Sequence, residues 1–116
     1  IKNLEIKAVY AYNLHKQFHP KSEDNLGYIL TLQDSRIYHA GDTDFIPEMQ
    51  EIKADICLLP IGGTYTMDVK EALKAVETIL PKLVIPMHWG EIIGSKKDAE
   101  DFVRLCKIQT RILEKV

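Results

Sequence analysis

Asp42 lies in the stretch Tyr38-His39-Ala40-Gly41-Asp42-Thr43-Asp44, just after an alternating run, Ser35-Arg36-Ile37-Tyr38, that reads as the end of a β-strand. Gly41 has no Cβ and permits a tight exit from the strand. The Asp42 carboxylate then points off the sheet edge, where α/β proteins place their ligand chemistry. Alone, a Gly-Asp-Thr turn is a turn and a helix cap. It gains weight from a second strand-end stretch, Ile85-Pro86-Met87-His88-Trp89-Gly90, built around a histidine. A third candidate, His19, sits between Phe18, a hydrophobic anchor, and Pro20, which drives the preceding residue towards extended backbone. His15, in the same polar loop, reads as a solvated side chain. His39 lies within its strand, one pleat from Asp42; packing and function are equally good readings of it. Imidazole and carboxylate groups are zinc-type ligands. An aspartate can also offer one oxygen to each of two cations. His19, Asp42 and His88 together could hold one catalytic metal with an open position; they could not fill two coordination shells.

The elements that must position these residues follow from periodicity. Glu5–Ala11 is rich in β-branched and aromatic residues and reads as a strand. Asn13 to Asn25 is a polar loop of a length that is often functional. Gly27–Leu32 and Arg36–His39 form a hairpin through Gln33-Asp34-Ser35. The stretch from Asp44 to Met49 reads as a short helix capped by Thr43 or Asp44. Asp55–Pro60 and Leu83–Pro86 are continuous apolar runs, expected to be strands buried on both faces. Asp68 to Leu80 carries Val69, Ala72, Leu73, Val76, Ile79 and Leu80 at helical spacing. Asp68 and Glu71 form a capping-box pair, and Pro81 ends the helix. Asp68 is therefore a cap and not a catalyst. Ser95 caps a helix whose Ala99, Phe102, Val103 and Cys106 share a face, and Ile108–Leu113 closes as a strand. The loop Ile61-Gly62-Gly63-Thr64-Tyr65-Thr66 follows a strand, but no Gly-Lys-Ser/Thr makes it a phosphate loop. The order predicts an α/β layered fold, a sheet with helices packed on one face. If the strands ending in Asp42, Gly62-Gly63 and His88 open on one edge, the three meet.

The chain has 116 residues, enough for one domain and one core. Its 15 basic and 17 acidic residues leave a net charge of −2. That balance provides no electrostatic argument for nucleic acid or a membrane surface, and no apolar run is long enough to span a bilayer. Cys57 falls in an apolar strand and Cys106 on the apolar side of a helix pattern. They read as two buried thiols in a reducing, cytoplasmic compartment.

The motifs around Asp42 and His88, with Leu58-Leu59-Pro60-Ile61-Gly62-Gly63-Thr64-Tyr65-Thr66-Met67 between them, resemble the C-terminal half of the metallo-β-lactamase-fold hydrolases, in particular their small UlaG-like branch. The resemblance covers nearly the whole chain. It implies one half of an αβ/βα sandwich with a mixed sheet, and a hydrolase of an ester, lactone or phosphodiester working through metal-activated hydroxide. The cofactor it implies is zinc, or alternatively manganese, with two ions in a complete site. Asp42 would be the bridging aspartate and His88 the last histidine ligand, the two carrying catalysis. The loop ligand would be His19, in a variant arrangement, with Asn13 or His15 as alternates. Thr64, Tyr65 and Trp89 would line the substrate pocket.

The family's His-x-His-x-Asp-His motif is absent from the chain, which begins with Ile1. The expected partner is therefore an N-terminal half carrying that motif, or else a second copy of the chain covering an exposed sheet face. The chain alone should be inactive. Two other readings stand beside the first. One is a non-catalytic half-domain serving as a binding or structural module. The other is a calcineurin-like metallophosphoesterase, which also uses a Gly-Asp turn, although no Gly-Asn-His turn follows Asp42.

Overall fold

The computed structural model describes residues 4–14, 25–63, 66–89 and 95–113. Six strands form one sheet in chain order: β1 (Leu4–Tyr10), β2 (Leu26–Leu32), β3 (Ser35–His39), β4 (Ile56–Pro60), β5 (Leu83–Met87) and β6 (Gln109–Thr110). The first three pair antiparallel, with Tyr28 opposite His39 and Ile6 opposite Leu30. From β3 onwards the pairing is parallel. The sheet is thus mixed, as expected. The β2–β3 hairpin turns on Gln33 and Asp34, with Gln33 at φ +55°.

Parallel neighbours need crossovers, and three segments supply them: a 3-10 turn (Pro47–Glu51), α1 (Val69–Ile79) and α2 (Lys96–Leu105). Crossovers of one hand place all their segments on the same side of the sheet. That side holds the core. Tyr38, Cys57, Leu59 and Val84 are fully buried there, with Met49 from the 3-10 turn, Ala72, Ala75 and Val76 from α1, and Ala99 and Phe102 from α2. α1 begins as its sequence dictates. Asp68 accepts from the Glu71 backbone N–H at 2.8 Å, and the Glu71 carboxylate closes the capping box. Ser95 caps α2 in the same manner through Asp98 N–H. Cys57 is buried as expected, but Cys106 is only partly buried because it stands at the C-cap of α2; neither is in a disulfide. No helix among the described residues is long and apolar enough to cross a membrane.

Several local expectations are corrected. Thr43 and Asp44 do not cap the segment that follows. Ile46 stands at its N-cap without a side-chain bond, because Pro47, which lacks an N–H and has its φ fixed, takes the first helical position. The Thr43 and Asp44 side chains are used elsewhere. Leu80 does not join the buried stripe of α1. It is 69% exposed and left-handed at φ +55°, ending the helix before Pro81, and Ala75 fills the stripe in its place. Val103 is exposed as well. The final strand is only Gln109–Thr110, because its ladder with β5 covers two rungs.

The two faces of the sheet differ sharply. On β1 the positions sharing the helix side include Glu5 and Lys7, both exposed and polar. The opposite side carries Ile6 and Tyr10, and on β2 Leu26, Tyr28 and Leu32, each between 41% and 55% exposed. Strand alternation therefore aims an apolar row away from the helices, where no described element covers it.

Candidate metal centre

β1, β3, β4 and β5 all run the same way, so their C-terminal ends open on one edge. The exits are held side by side. Ala40 N–H donates to Leu58 carbonyl at 3.1 Å, and Ile61 N–H to Met87 carbonyl at 3.0 Å. β3 leaves through Gly41, at φ +71°. A Cβ there would lie 2.7 Å from the Leu26 carbonyl oxygen, and one on Gly27 would lie 2.7 Å from that of Ala40. Glycine at both positions lets the start of β2 and the exit of β3 press together.

Asp42 follows Gly41, and His88 follows the end of β5. His88 is left-handed at φ +56°, and its Nε2 lies 2.9 Å from Asp42 Oδ1. The two side chains are 48% and 41% exposed. A pair that open to solvent contributes about 0–1 kcal/mol. A left-handed non-glycine residue costs about 1–2 kcal/mol. The arrangement therefore does not repay itself as a stabilising contact, and strain of this kind gathers at functional sites.

The donor set suits a metal. A tetrahedral zinc ion with ordinary Zn–N and Zn–O bonds spreads two donors about 3.3 Å apart, so this pair needs to open by only a few tenths of an ångström. One imidazole and one carboxylate, both reachable by solvent, leave room for further ligands. Among the described residues no group of three or more His, Cys, Asp or Glu side chains is gathered to hold an ion. The remaining candidates, His19 and its alternate His15, lie outside the described residues, as do Thr64 and Tyr65.

Asn13, the other alternate, is buried, 4% exposed, on the segment that leaves β1 at this same edge. Trp89 adjoins His88, but its indole N–H donates to the Pro86 carbonyl at 3.3 Å and its ring packs on the core. That contact braces the turn carrying His88. His39 projects from the helix-free face, and its Nδ1 accepts from Gly41 N–H at 3.3 Å, within the Asp42 turn.

Sequence reasoning missed Thr43 and Asp44. Both are buried and bonded to the segment after β1. The signal was available: Pro47 marks the first helical position and leaves Thr43 and Asp44 too far upstream to cap it.

Residues 1–88 match the family described as the β-lactamase superfamily domain. The chain belongs to the β-lactamase superfamily. Among curated relatives, a metal-dependent hydrolase of Staphylothermus marinus is 49% identical over 88 residues, 72% of this chain and 39% of the relative. One of Thermofilum pendens is 40% identical over 110 residues, 91% of this chain and 47% of the relative. Among solved structures, a metallo hydrolase from Ignicoccus hospitalis superposes with a TM-score of 0.76 at 30% identity, over 97% of this chain and 50% of the other. This superfamily chain thus spans about half the length of the relatives it matches.

Proposed function

We propose that Asp42, His88 and His19 are this chain's contribution to a metal centre that hydrolyses an ester, lactone or phosphodiester, as a member of the UlaG-like branch. The observation that carries the reading is the meeting of Asp42 Oδ1 and His88 Nε2 at 2.9 Å from two strand exits on one edge. When bound, the metal, zinc or alternatively manganese and two ions in the complete site, would lower the pKa of water and polarise the scissile bond. The chain's own part is to hold the ligands. Asp42 offers two oxygens, so that one carboxylate can face two cations and offset their repulsion. His88 fixes the far side, and its left-handed backbone turns the imidazole towards Asp42. Thr64, Tyr65 and Trp89 border the substrate.

The centre is completed by an N-terminal half carrying His-x-His-x-Asp-His. Two observations support that partner. The matched relatives are about twice as long as the aligned segment. The sheet also presents Ile6, Tyr10, Leu26, Tyr28 and Leu32 on a face with no helix layer, and an apolar patch of this kind marks a contact surface.

The experiment is metal analysis and hydrolysis of ester, lactone and phosphodiester substrates by the full-length protein and by residues 1–116 alone. The expected result is two metals and turnover in the first, and no turnover in the second until an N-terminal half is supplied. No metal and no turnover in the full-length protein would sink the enzyme reading and favour a binding module. Unaided turnover by residues 1–116 would sink the need for a partner half.

A further inference from the structure

The chain on the far side of Asp42 is tied down over a long sequence distance. Thr43 is fully buried and Asp44 is 5% exposed. Tyr12 N–H donates to Thr43 Oγ1 at 3.0 Å, and the Thr43 hydroxyl proton is shared between the Tyr12 carbonyl at 3.0 Å and the Asp44 carbonyl at 2.9 Å. Asp44 N–H donates to the Tyr12 carbonyl at 2.9 Å. Leu14 N–H donates to Asp44 Oδ2, also at 2.9 Å. From the other flank, Met67 N–H donates to the Thr43 carbonyl at 2.8 Å. Two consecutive residues therefore join three loops of one edge: those leaving β1, β3 and β4.

The sheet does not require this. β1 and β3 are separated by β2, a gap of roughly 10 Å at ordinary strand spacing, so no ladder bond can set where the end of β1 lies relative to Asp42. Asp42 itself leaves a left-handed glycine and is half-exposed. Its direction depends on what fixes its C-terminal neighbours. A side chain anchored in the residue after a ligand orients that ligand as an outer hydrogen-bond partner does.

We propose that Thr43 and Asp44 are positioning residues for Asp42, aiming its carboxylate at His88 by clamping the turn between the Tyr12–Leu14 segment and Met67. The proposal rests on the metal-centre reading above. A purely structural role for the same bonds would move stability and leave the ligands' geometry alone, and the test separates the two.

In the full-length protein, Thr43→Val, Thr43→Ser, Asp44→Ala, Asp44→Asn and Asp42→Asn would be compared by zinc competition titration and by the visible spectrum of the cobalt(II)-substituted form. Asp55→Ala, which removes the acceptor of the Arg36 N–H at the opposite edge of the sheet, serves as a control for lost stability. Thr43→Val and Asp44→Ala should weaken zinc binding by about 10–100-fold and alter the cobalt spectrum. Thr43→Ser, which keeps the hydroxyl, should restore both, and Asp44→Asn, which keeps one acceptor, should fall between. If either severe variant does not fold, the graded pair carries the comparison: affinity at the unaltered level in Asp44→Asn would overturn the proposal. Changes no larger than those of Asp55→Ala would also overturn it. If Asp42→Asn leaves zinc affinity intact, the metal-centre reading itself falls.

Discussion

Asp42 and Asp55 lie at opposite edges of the same sheet and are exposed to similar degrees, 41% and 36%. Asp55 precedes β4, and its bonds serve the backbone. Its carboxylate accepts from Arg36 N–H at 2.9 Å, its N–H donates to the Arg36 carbonyl, and its carbonyl accepts from Lys82 and Leu83 N–H. Lys82 Nζ stands 3.8 Å from it. Every one of these contacts fixes where β3, β4 and β5 begin. Asp42 instead meets the side chain of His88 across two strand exits, at an edge where the backbone is left-handed at Gly41, Gly63 and His88. Burial does not separate the two aspartates. What separates them is that the Asp55 carboxylate accepts a backbone N–H where strands begin, while the Asp42 carboxylate meets an imidazole from another strand exit.

The largest effects should come from breaking the Asp42 side of this contrast. Asp42→Asn keeps the shape and loses the charge, so metal affinity and hydrolysis in the full-length protein should fall by more than the roughly 10–100-fold typical of outer partners, with little change in melting temperature. His88→Gly sharpens the point. It should abolish metal binding while raising stability by about 1 kcal/mol, because glycine relieves the left-handed backbone. Denaturant titration with and without zinc measures both effects. A destabilised His88→Gly that still binds metal would reverse the assignment.

Asp55→Ala should show the opposite signature. It leaves the Arg36 N–H without its acceptor, a loss of about 1–3 kcal/mol, and metal affinity should not change. Equal losses of metal affinity at both edges would erase the contrast.

The pH dependence should come from the core between the two edges. Burial pushes the Cys57 thiol from its ordinary 9.0 up to about 12. Burial, and then the neighbouring Cys57, push the Tyr38 phenol up as well. Both groups hold their protons more tightly folded than unfolded. Their contribution is thus complete below pH 9 and is lost as pH rises towards 12. Denaturant unfolding at successive pH values should show that decline, and Cys57→Ala should flatten it. Native Cys57 should also resist alkylation at pH 8. Rapid modification of Cys57 itself in the folded protein, with Cys106 replaced by alanine, would contradict the burial argument.

The smallest effect belongs to a residue outside the comparison. Asp68→Ala removes the α1 cap and should cost about 1 kcal/mol. Metal affinity should be unaltered, because the cap acts within its own helix. A larger loss of metal affinity would add the Asp68 cap to the functional edge.

Much of this molecule is legible in local pattern. The capping box of Asp68 and Glu71, the Ser95 cap, the buried stretch around Cys57 and the glycine exit before Asp42 each depend on neighbours a few residues away, and short-range spacing records such dependence directly. The strand-end placing of Asp42 and His88 was legible for the same reason. Their meeting was not, because it follows from four strands running the same way and opening on one edge, which no spacing states. Thr43 and Asp44 show the difference most plainly. By residue type they are helix caps; in the fold their side chains bond a segment some thirty residues upstream. A short polar side chain bonds whichever backbone donor lies in reach, and only the tertiary structure decides which donor that is. The same holds for the apolar face of β1 and β2. Alternation in the sequence says that one side is apolar, while only the tertiary structure shows that the helices lie on the other side of the sheet.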